Sequence, residues 1–371
     1  MLNKKSIRFI VIIFFVFIIY FLTASRSVPG ETVLAPRWIS SPEADAPVII
    51  SSSDESGKII PFTLGSRFGY VDSSGKFAVN RIKESNIYLS GKLWTEFGNT
   101  PSDIEIKNIM QETVVNIKDP KGYPVLLDDR IFIFGNDQNE LSEIDSEGNI
   151  IWAYEYGAPL TCIDAASDLL LTGSLDGIIE ILDSEGNRIY YFRPGGSRYE
   201  VILGCAISRN GSLLGIISGI DRQRFILLER LANDREYRVV YHEYLDTGFR
   251  RPVHISFIDD DSRIVFEREG GIGCYSIKSR RFMIIPLEGK IAAIDSLGSE
   301  GLLFLVTSRS MQRNELIGIK IPNDRFVSGD MRSCIFMRAP FKSEHVFFGR
   351  TGSMLITGGG SLLVSFEMEE M

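Results

Sequence analysis

The sequence predicts an all-β protein: a β-propeller of seven or eight four-stranded blades, eight being favoured, preceded by an N-terminal transmembrane helix. A strand–turn–strand pattern recurs at intervals of about 40 residues, which is the length of a propeller blade. Long helical periodicity is absent from residues 58–371. An apolar run, preceded by cations, stands at the N-terminus. These three observations carry the prediction.

The clearest repeat lies within Leu141–Phe192. The turn Asp-Ser-Glu-Gly-Asn occurs there twice, at Asp145–Asn149 and at Asp183–Asn187, each time between two apolar runs. Residues 162–177, between the copies, predict two further short strands and a tight turn, so that one unit contains four antiparallel strands. The repeat-motif residues for which we expect a structural role are Asp72, Gly75, Asp145, Gly148, Trp152, Asp183, Gly186, Asn210 and Gly211.

Similar patterns along the chain divide it into eight units. Asn210-Gly211 predicts a hairpin turn, because both residues can take positive φ. The last unit shows three candidate strands only, so we expect a segment N-terminal to Phe68 to complete that blade and close the ring. If the first and last units form one blade, the ring has seven. The predicted units are residues 59–82, 86–117, 123–156, 160–192, 201–244, 253–287, 291–327 and 334–368.

Residues 1–25 predict an uncleaved signal anchor. Lys4, Lys5 and Arg8 precede the apolar run Phe9–Leu22, and cations on this side keep the N-terminus in the cytoplasm. Counted from Ile7 to Ala24, the helical segment spans about 27 Å, just enough to cross a bilayer. We therefore expect a single-pass protein of the inner membrane with its propeller outside the cytoplasm, in the periplasm. A cleaved signal peptide is the alternative.

Residues 26–57 predict a linker between this anchor and the propeller domain at residues 58–371. The segment is rich in proline and contains a Ser-Ser-Ser-Asp-Glu-Ser-Gly cluster, a composition typical of extended tethers. Two short apolar pieces within it, Thr32–Leu34 and Val48–Ile50, are candidates for additional strands of the ring.

Composition narrows the classes of function. The hydrophobic fraction is 44% and the charged fraction 24%, values typical of a globular chain. The net charge of −8 gives no support for a nucleic-acid-binding face, so we expect no nucleic acid partner. The four cysteines lack metal-site spacing and stand in apolar runs, which favours small buried side chains and leaves a disulfide open. They are Cys162, Cys205, Cys274 and Cys334.

The pattern Asp-Ser-Glu-Gly-Asn-x-x-Trp, which ends at Trp152, resembles the tryptophan-containing repeat of quinoprotein-like (PQQ-like) propellers. The turns Ser-x-Asn-Gly and Thr-Gly-Ser-Leu-Asp-Gly are similar to those of WD40-type blades. Tyr190 takes the tryptophan position in the next unit, and Trp38 and Trp94 lie elsewhere. The quinoprotein-like family contains quinone-dependent dehydrogenases and also non-catalytic members, such as an envelope scaffold of outer-membrane protein assembly. The resemblance implies the fold, and we expect the non-catalytic type.

The search for catalytic chemistry assigns no residue. The three histidines lie in different units without metal-ligand spacing, and no Gly-x-Ser-x-Gly nucleophile motif occurs. Residues 69–77 have the wrong spacing for a phosphate loop. Asp128-Asp129 and residues 259–261 lack the alternating ligands of a calcium loop and predict turns. We therefore expect no catalytic residue, no cofactor and no metal.

These observations predict a membrane-anchored, extracytoplasmic scaffold of the cell envelope that binds another protein. The alternative is a propeller enzyme, quinone-dependent or hydrolytic, with its site in the central funnel. Loops on one face of the ring are the expected binding surface, because a rigid scaffold commonly presents its binding residues on loops. The side chains that we expect to make contact are Arg193, Arg198, Tyr199, Arg250, Arg251, Arg309 and Arg313.

Overall fold

Eight antiparallel sheets follow one another around a ring, which confirms the predicted eight-bladed propeller within the part of the chain that the structure describes. Hydrogen bonds join neighbouring strands throughout each sheet. The structure is a computed structural model, and it describes residues 13–18, 20, 32–44, 59–127, 129–231, 236–246, 248–297, 301–310, 312–322, 331–351 and 354–370.

The strands join the blades in chain order, apart from the first one, β1 (Thr32–Ser40), which belongs to the last blade. Blade 1 contains β2 (Ile59–Leu64), β3 (Arg67–Asp72) and β4 (Phe77–Ile82). Blade 2 contains β5 (Asn86–Leu89), β6 (Leu93–Phe97), β7 (Asp103–Asn108) and β8 (Thr113–Lys118). Blade 3 contains β9 (Gly122–Leu127), β10 (Arg130–Gly135), β11 (Glu140–Ile144) and β12 (Ile150–Glu155). Blade 4 contains β13 (Leu160–Ala166), β14 (Leu169–Ser174), β15 (Ile179–Leu182) and β16 (Arg188–Phe192).

The second half of the ring is built in the same way. Blade 5 contains β17 (Ile202–Ile207), β18 (Leu213–Ser218), β19 (Arg224–Arg230) and β20 (Tyr237–Tyr244). Blade 6 contains β21 (Ile255–Ile258), β22 (Arg263–Arg268), β23 (Gly271–Ser276) and β24 (Arg281–Pro286). Blade 7 contains β25 (Lys290–Leu297), β26 (Leu302–Ser310), β27 (Arg313–Lys320) and β28 (Ile335–Phe341). Blade 8 contains β29 (Val346–Thr351), β30 (Met354–Gly359), β31 (Leu362–Glu370) and β1.

The hydrophobic core is divided among the interfaces between neighbouring blades and is not a single central cluster. Each of eight hydrophobic clusters is shared by two successive blades. Middle strands are therefore covered on both faces, which explains why Leu213–Ser218 and Ile179–Leu182 are buried along their whole length. The outer strand β12 is instead largely exposed. The eighth cluster joins blade 8 to blade 1 through side chains such as Phe62 and Ile356, so the ring is closed.

Strand β1 closes the ring, as the sequence predicts. It pairs antiparallel with β31, from Thr32 opposite Glu370 to Ser40 opposite Leu363. Trp38 of β1 donates a hydrogen bond of 2.8 Å from its indole nitrogen to a backbone carbonyl of blade 1. Residues 32–40, which composition assigns to the linker, thus form part of the propeller.

Two boundaries differ from the prediction. The seventh unit was expected to end at Val327, whereas β28 is the outer strand of blade 7, and blade 8 begins at Val346. The prediction was wrong because an apolar run shows that a strand exists but not which neighbour it pairs with.

Blade 1 has three described strands. Its Asp-Ser-Ser-Gly turn joins β3 to β4, as the related turns join the last two strands of blades 3 and 4.

The repeated aspartate turn has the same geometry in three blades. The carboxylate accepts hydrogen bonds from the backbone N–H groups two and four residues ahead, at 2.8 and 2.9 Å for Asp72, 2.8 and 2.8 Å for Asp145, and 3.0 and 2.9 Å for Asp183. The backbone N–H of Asn149 lowers the pKa of Asp145. Each turn ends on a glycine with positive φ, at 86°, 89° and 77° for Gly75, Gly148 and Gly186.

The turn at Asn210-Gly211 is longer than the predicted two-residue hairpin. Gly211 has a φ of 67°, but Asn210 is not among the described residues with positive φ. The backbone N–H of Ser208 donates to Leu213 O at 3.0 Å, and the Asn210 side chain accepts the N–H of Ser212 at 3.0 Å. Asn210 therefore stabilises the turn through its side chain, as asparagine commonly does, and not through a left-handed backbone.

Trp152 joins blade 3 to blade 4. Its indole nitrogen donates to the buried carboxylate of Glu143 at 2.8 Å, and Arg130 donates to the same carboxylate at 2.7 and 2.8 Å. The Trp152 ring lies on Gly186 of the next blade, where an added Cβ would stand 2.6 Å from two ring atoms. Trp38 occupies the equivalent place against Gly75, at the joint between blades 8 and 1.

Gly186→Ala is expected to destabilise the protein by about 2–4 kcal/mol, because the methyl group overpacks the indole and the residue has positive φ. Urea unfolding followed by circular dichroism measures the effect. Gly157→Ala is the matched control, since Gly157 is exposed and nothing lies within 4 Å of its Cβ position. Equal unfolding midpoints for the two variants would contradict the contact between Trp152 and Gly186.

The N-terminal segment is described only in part. Residues 13–18 and Tyr20 are helical. Of the residues that the structure describes, none belongs to a helix that is long and apolar enough to cross a membrane. The remainder of the predicted anchor at residues 1–25, and the candidate strand Val48–Ile50 of the linker, lie outside the described residues.

Candidate functional site

The ring has two different faces. Because the strands of a blade alternate in direction, the connections between blades and the turns between second and third strands leave the ring on the same side. We name this side the loop face. The opposite side, which we name the turn face, carries the aspartate turns and the turns between first and second strands. A partner that binds one face therefore meets a different set of segments from a partner that binds the other.

All seven predicted contact residues lie on the loop face, but they do not form one group. Five of them lie in two successive connections, the one from blade 4 to blade 5 and the one from blade 5 to blade 6. The other two flank the turn between β26 and β27 in blade 7. The first group is Arg193, Arg198, Tyr199, Arg250 and Arg251, and the second is Arg309 and Arg313.

The loop at residues 194–199 is fastened by a carboxylate from blade 5. Asp221 accepts the backbone N–H of Arg198 at 3.1 Å and that of Tyr199 at 3.5 Å, and it also accepts the Ser197 hydroxyl. The Ser197 hydrogen bond lowers the pKa of Asp221. The carboxylate thus stays ionised, and holds the loop, to a lower pH than an ordinary aspartate would.

An arginine of blade 5 also holds this loop through hydrogen bonds to its backbone. Arg224 of β19 donates from Nη2 to the carbonyl oxygens of Pro194 and Gly195, at 2.6 and 3.0 Å. Gly195 and Gly196 have φ values of 63° and 84°, and this left-handed backbone turns the chain over the guanidinium. An added Cβ at Gly196 would be 3.4 Å from the hydroxyl of Tyr244, so the loop also contacts the outer strand of blade 5.

One exposed arginine–tyrosine pair belongs to this loop, and a second pair stands beside it. The Arg198 guanidinium lies 5.4 Å from the centre of the Tyr199 ring, and that of Arg222 lies 4.6 Å from the centre of the Tyr244 ring. Tyr199 is 54% exposed and Tyr244 43% exposed. We name these four residues the Arg–Tyr surface. Arginine and tyrosine are the residue types enriched among the energetically important contacts of protein interfaces.

The arginines of this surface are not neutralised by the protein itself. Within the described ranges, no carboxylate lies in ion-pair distance of Arg198, Arg222 or the nearby exposed Arg250. A guanidinium stacked on a ring keeps its N–H groups available at its edge, and these donate to carboxylates in pairs. The site therefore offers cationic donors and exposed aromatic rings side by side.

Arg251 forms an ion pair within the chain. It donates to both carboxylate oxygens of Glu267, at 2.8 and 2.6 Å, and the Glu267 side chain is 4% exposed. A contact between Arg251 and a partner stays a prediction, and it would have to be made by a guanidinium that a buried carboxylate already holds in place. Sequence reasoning could not foresee this pair, since the partners come from different segments of blades 5 and 6.

Arg193 and Arg309 also have carboxylate neighbours within the chain. Arg193 pairs with Glu200 at 3.1 Å and with Asp176 at 3.6 Å. Arg309 pairs with Glu288 at 2.7 Å, while Arg313, at the same turn of blade 7, is exposed. These positions are less suited to bind an external anion than the Arg–Tyr surface.

Sequence reasoning missed Arg222 and Tyr244. Arg222 stands in the turn between β18 and β19, and Tyr244 ends the outer strand of blade 5. Neither has a distinctive motif around it. The available signal was topological: a turn between second and third strands emerges on the same face as the connection that contains Arg198 and Tyr199.

The central funnel contains a cavity of about 500 Å³ that reaches the turn face. Its charged side chains are matched within the protein: Arg209 pairs with Asp260 at 2.9 Å, and Arg263 with Asp259 at 2.5 Å. Asp164 accepts a backbone N–H of the next blade at 2.8 Å. Among the side chains that can be described, no group of three or more His, Cys, Asp or Glu is placed to hold a metal ion.

Comparison with known proteins supports the architecture. A family model described as "beta-propeller protein" matches residues 1–371. An uncharacterised protein of Treponema pallidum (strain Nichols) is 26% identical over 283 residues, which are 75% of this chain and 74% of that protein.

Two solved structures resemble the chain in fold. The crystal structure of BamB from Moraxella catarrhalis has a TM-score of 0.58 at 11% identity, covering 90% of this chain and 100% of that one. The computationally designed Ika8 protein has a TM-score of 0.56 at 10% identity, covering 87% of this chain and 100% of the design. At such low identity these likenesses show the fold alone.

Proposed function

The chain belongs to the beta-propeller protein family, and on that premise we propose that it is a membrane-anchored scaffold which binds another protein outside the cytoplasm. The observation that carries the proposal is the Arg–Tyr surface: two exposed cation–π pairs, one in and one beside a loop that Asp221 and Arg224 fasten to blade 5. Fastening lowers the conformational entropy that these side chains lose on binding. A rigid ring that presents such loops can bind a partner without any chemistry in its funnel.

The chemistry of this surface favours an acidic segment as its partner. The chain as a whole has a net charge of −8, whereas Arg198 and Arg222 form no ion pair with a described carboxylate, so this surface favours an anionic partner. Tyr199 and Tyr244 add apolar contact area, which favours an extended peptide whose Asp or Glu residues alternate with apolar ones. The net charge of −8 opposes binding of the long phosphate backbone of a nucleic acid more than binding of a short acidic peptide.

We extend the proposal to the subgroup of propellers. Trp152 on Gly186 and Trp38 on Gly75 support a quinoprotein-like ring, because a tryptophan from an outer strand joins two blades at both places. The matched charges around the funnel cavity support the non-catalytic type. Purified protein is accordingly expected to hold neither a quinone nor a stoichiometric metal.

The proposed address follows from the N-terminal sequence. Lys4, Lys5 and Arg8 before Phe9–Leu22 support a signal anchor with a cytoplasmic N-terminus. A reporter enzyme that is active only outside the cytoplasm, fused at the C-terminus, is expected to be active. Activity of a reporter that works only in the cytoplasm would contradict this topology.

Site-specific photo-crosslinking in cells tests the binding function. A photoreactive phenylalanine derivative at Tyr199 is expected to capture a partner, and the same derivative at Glu147, which is exposed on the turn face, is the matched control. Arg198→Ala combined with Arg222→Ala should reduce the yield at least tenfold, because each such anchor commonly contributes about 2 kcal/mol.

The outcomes separate the function from the partner class. Equal capture from both positions, or none from Tyr199, contradicts binding at the loop face. Mass spectrometry of the captured peptide reports its composition. If capture depends on the two arginines but the peptide lacks Asp and Glu, the acidic-partner assignment fails while the scaffold function stands.

A further inference from the structure

The innermost strands of blades 4 and 5 are joined by side-chain hydrogen bonds in addition to apolar packing. The Thr161 hydroxyl of β13 donates to the carbonyl oxygen of Ile202 in β17 at 2.5 Å. Three residues further along β13, the Asp164 carboxylate accepts the backbone N–H of Ile207 at 2.8 Å. These two contacts fix the register of the two strands at the wall of the funnel.

A pair of cysteines lies within this register. Cys162 and Cys205 each stand two residues before the partners Asp164 and Ile207, so the register of the two strands brings their side chains to the same level of the joint between the blades. Cys162 packs against the hydrophobic cluster that contains Cys205. Gly173, opposite Cys162 in the sheet, leaves room for the sulfur, since a Cβ at Gly173 would be 2.7 Å from it.

The two thiols differ in their access to solvent. Cys162 is half-buried, whereas Cys205 is 7% exposed and borders the funnel cavity. The hydrogen bond with Cys162 and burial raise the pKa of the Cys205 thiol. Cys162 is therefore the thiol that an incoming disulfide reaches first, and its thiolate is the form that attacks.

We infer that Cys162 and Cys205 are a dithiol site which a small-molecule disulfide, such as oxidised glutathione, converts into a covalent bond between blades 4 and 5. The Cys162 thiolate attacks one sulfur of the reagent, and the first glutathione leaves as its thiol. Cys205 then loses its proton and attacks the Cys162 sulfur, which releases the second glutathione. Two protein thiols are oxidised and one reagent disulfide is reduced to two thiols.

The bond is expected to stabilise the ring. It would close a loop of about one blade length and restrict the unfolded chain, which corresponds to a thermal midpoint roughly 5 °C higher. Incubation of the purified full chain with oxidised glutathione, followed by non-reducing peptide mapping, should detect the Cys162–Cys205 link. A thiol reductant should remove the link and reverse the shift.

Substitutions test the assigned roles. Cys274 and Cys334 lie together in the cluster between blades 6 and 7, so Cys274→Ser combined with Cys334→Ser is the control that should oxidise like the natural chain. Cys205→Ser should stop at the first step and accumulate glutathione on Cys162. Peptide mapping of the unsubstituted chain does not depend on how well any variant folds. Three results would overturn the inference. In the unsubstituted chain, glutathione could stay attached without an internal disulfide, or the disulfide could join Cys274 or Cys334. The chain that carries the Cys162–Cys205 link could also melt at an unchanged temperature.

Discussion

Deletion of Thr32–Ser40 from the otherwise unchanged chain is expected to abolish cooperative unfolding of the whole ring. The deletion leaves the backbone groups of β31 without their partners and removes Trp38 from the joint between blades 8 and 1. Loss of a packed tryptophan alone costs about 3–5 kcal/mol, and the stability of a folded domain is about 5–15 kcal/mol. Every blade packs on two neighbours, so an open ring weakens more than its last sheet.

Thermal unfolding followed by circular dichroism measures this effect, and point substitutions grade it. Trp38→Ala should lower the midpoint strongly, whereas Trp38→Phe keeps an aromatic ring on Gly75 and loses only the hydrogen bond to Ser73. Its cost should therefore be near 1 kcal/mol. A deletion variant that melts like the natural chain, with unchanged cooperativity, would show that β1 does not close the ring.

Glu143→Ala is expected to destabilise the protein by about 3–5 kcal/mol. The Glu143 carboxylate receives Arg130 and the Trp152 indole together, and its side chain is 10% exposed, with that of Arg130 19% exposed. Its removal leaves a largely buried guanidinium and an indole N–H without an acceptor, which costs far more than the pair itself contributes. The joint between blades 3 and 4 should loosen as a result.

Urea unfolding of three variants measures the effect and its origin. Glu143→Gln retains an acceptor for the indole but loses the charge opposite Arg130, so its cost should fall between those of the alanine variant and the natural chain. Glu147→Ala, at an exposed position of the neighbouring turn, should change stability by less than about 0.5 kcal/mol. If Glu143→Ala behaves like Glu147→Ala, the buried ion pair is not part of the blade joint.

The sequence predicts the ring better than the surface, and the reason is the range of the interactions. Blade period, the aspartate turn and the missing strand of the last blade are readable because a repeat restates the same local pattern. The blade 7 boundary failed because β28 follows a long connection, and pairing between strands is not encoded in either strand alone. β28 belongs to blade 7 because it forms its hydrogen bonds with β27.

The Arg–Tyr surface illustrates the same limit. Arg198 and Tyr199 are adjacent in sequence and lie in one connection, so a single segment indicated them. Arg222 and Tyr244 come from two other segments, and they meet only because the strands of blade 5 bring a turn and a strand end together. Arg251 shows the same limit, since nothing in the sequence around it indicates its ion pair with the buried carboxylate of Glu267.

The closing strand also sets an order of events during synthesis. Arg37 of β1 forms ion pairs with Glu367 and Glu369 of β31, and 330 residues separate Arg37 from Glu367. At about 5–20 residues per second, a ribosome needs roughly 15–70 s to pass from one to the other. Throughout that interval β1 exists without its partner, so a nascent chain presents an unpaired strand until β31 has emerged. A chaperone that protects this chain is accordingly expected to act on β1, and to be released only after β31 has been synthesised.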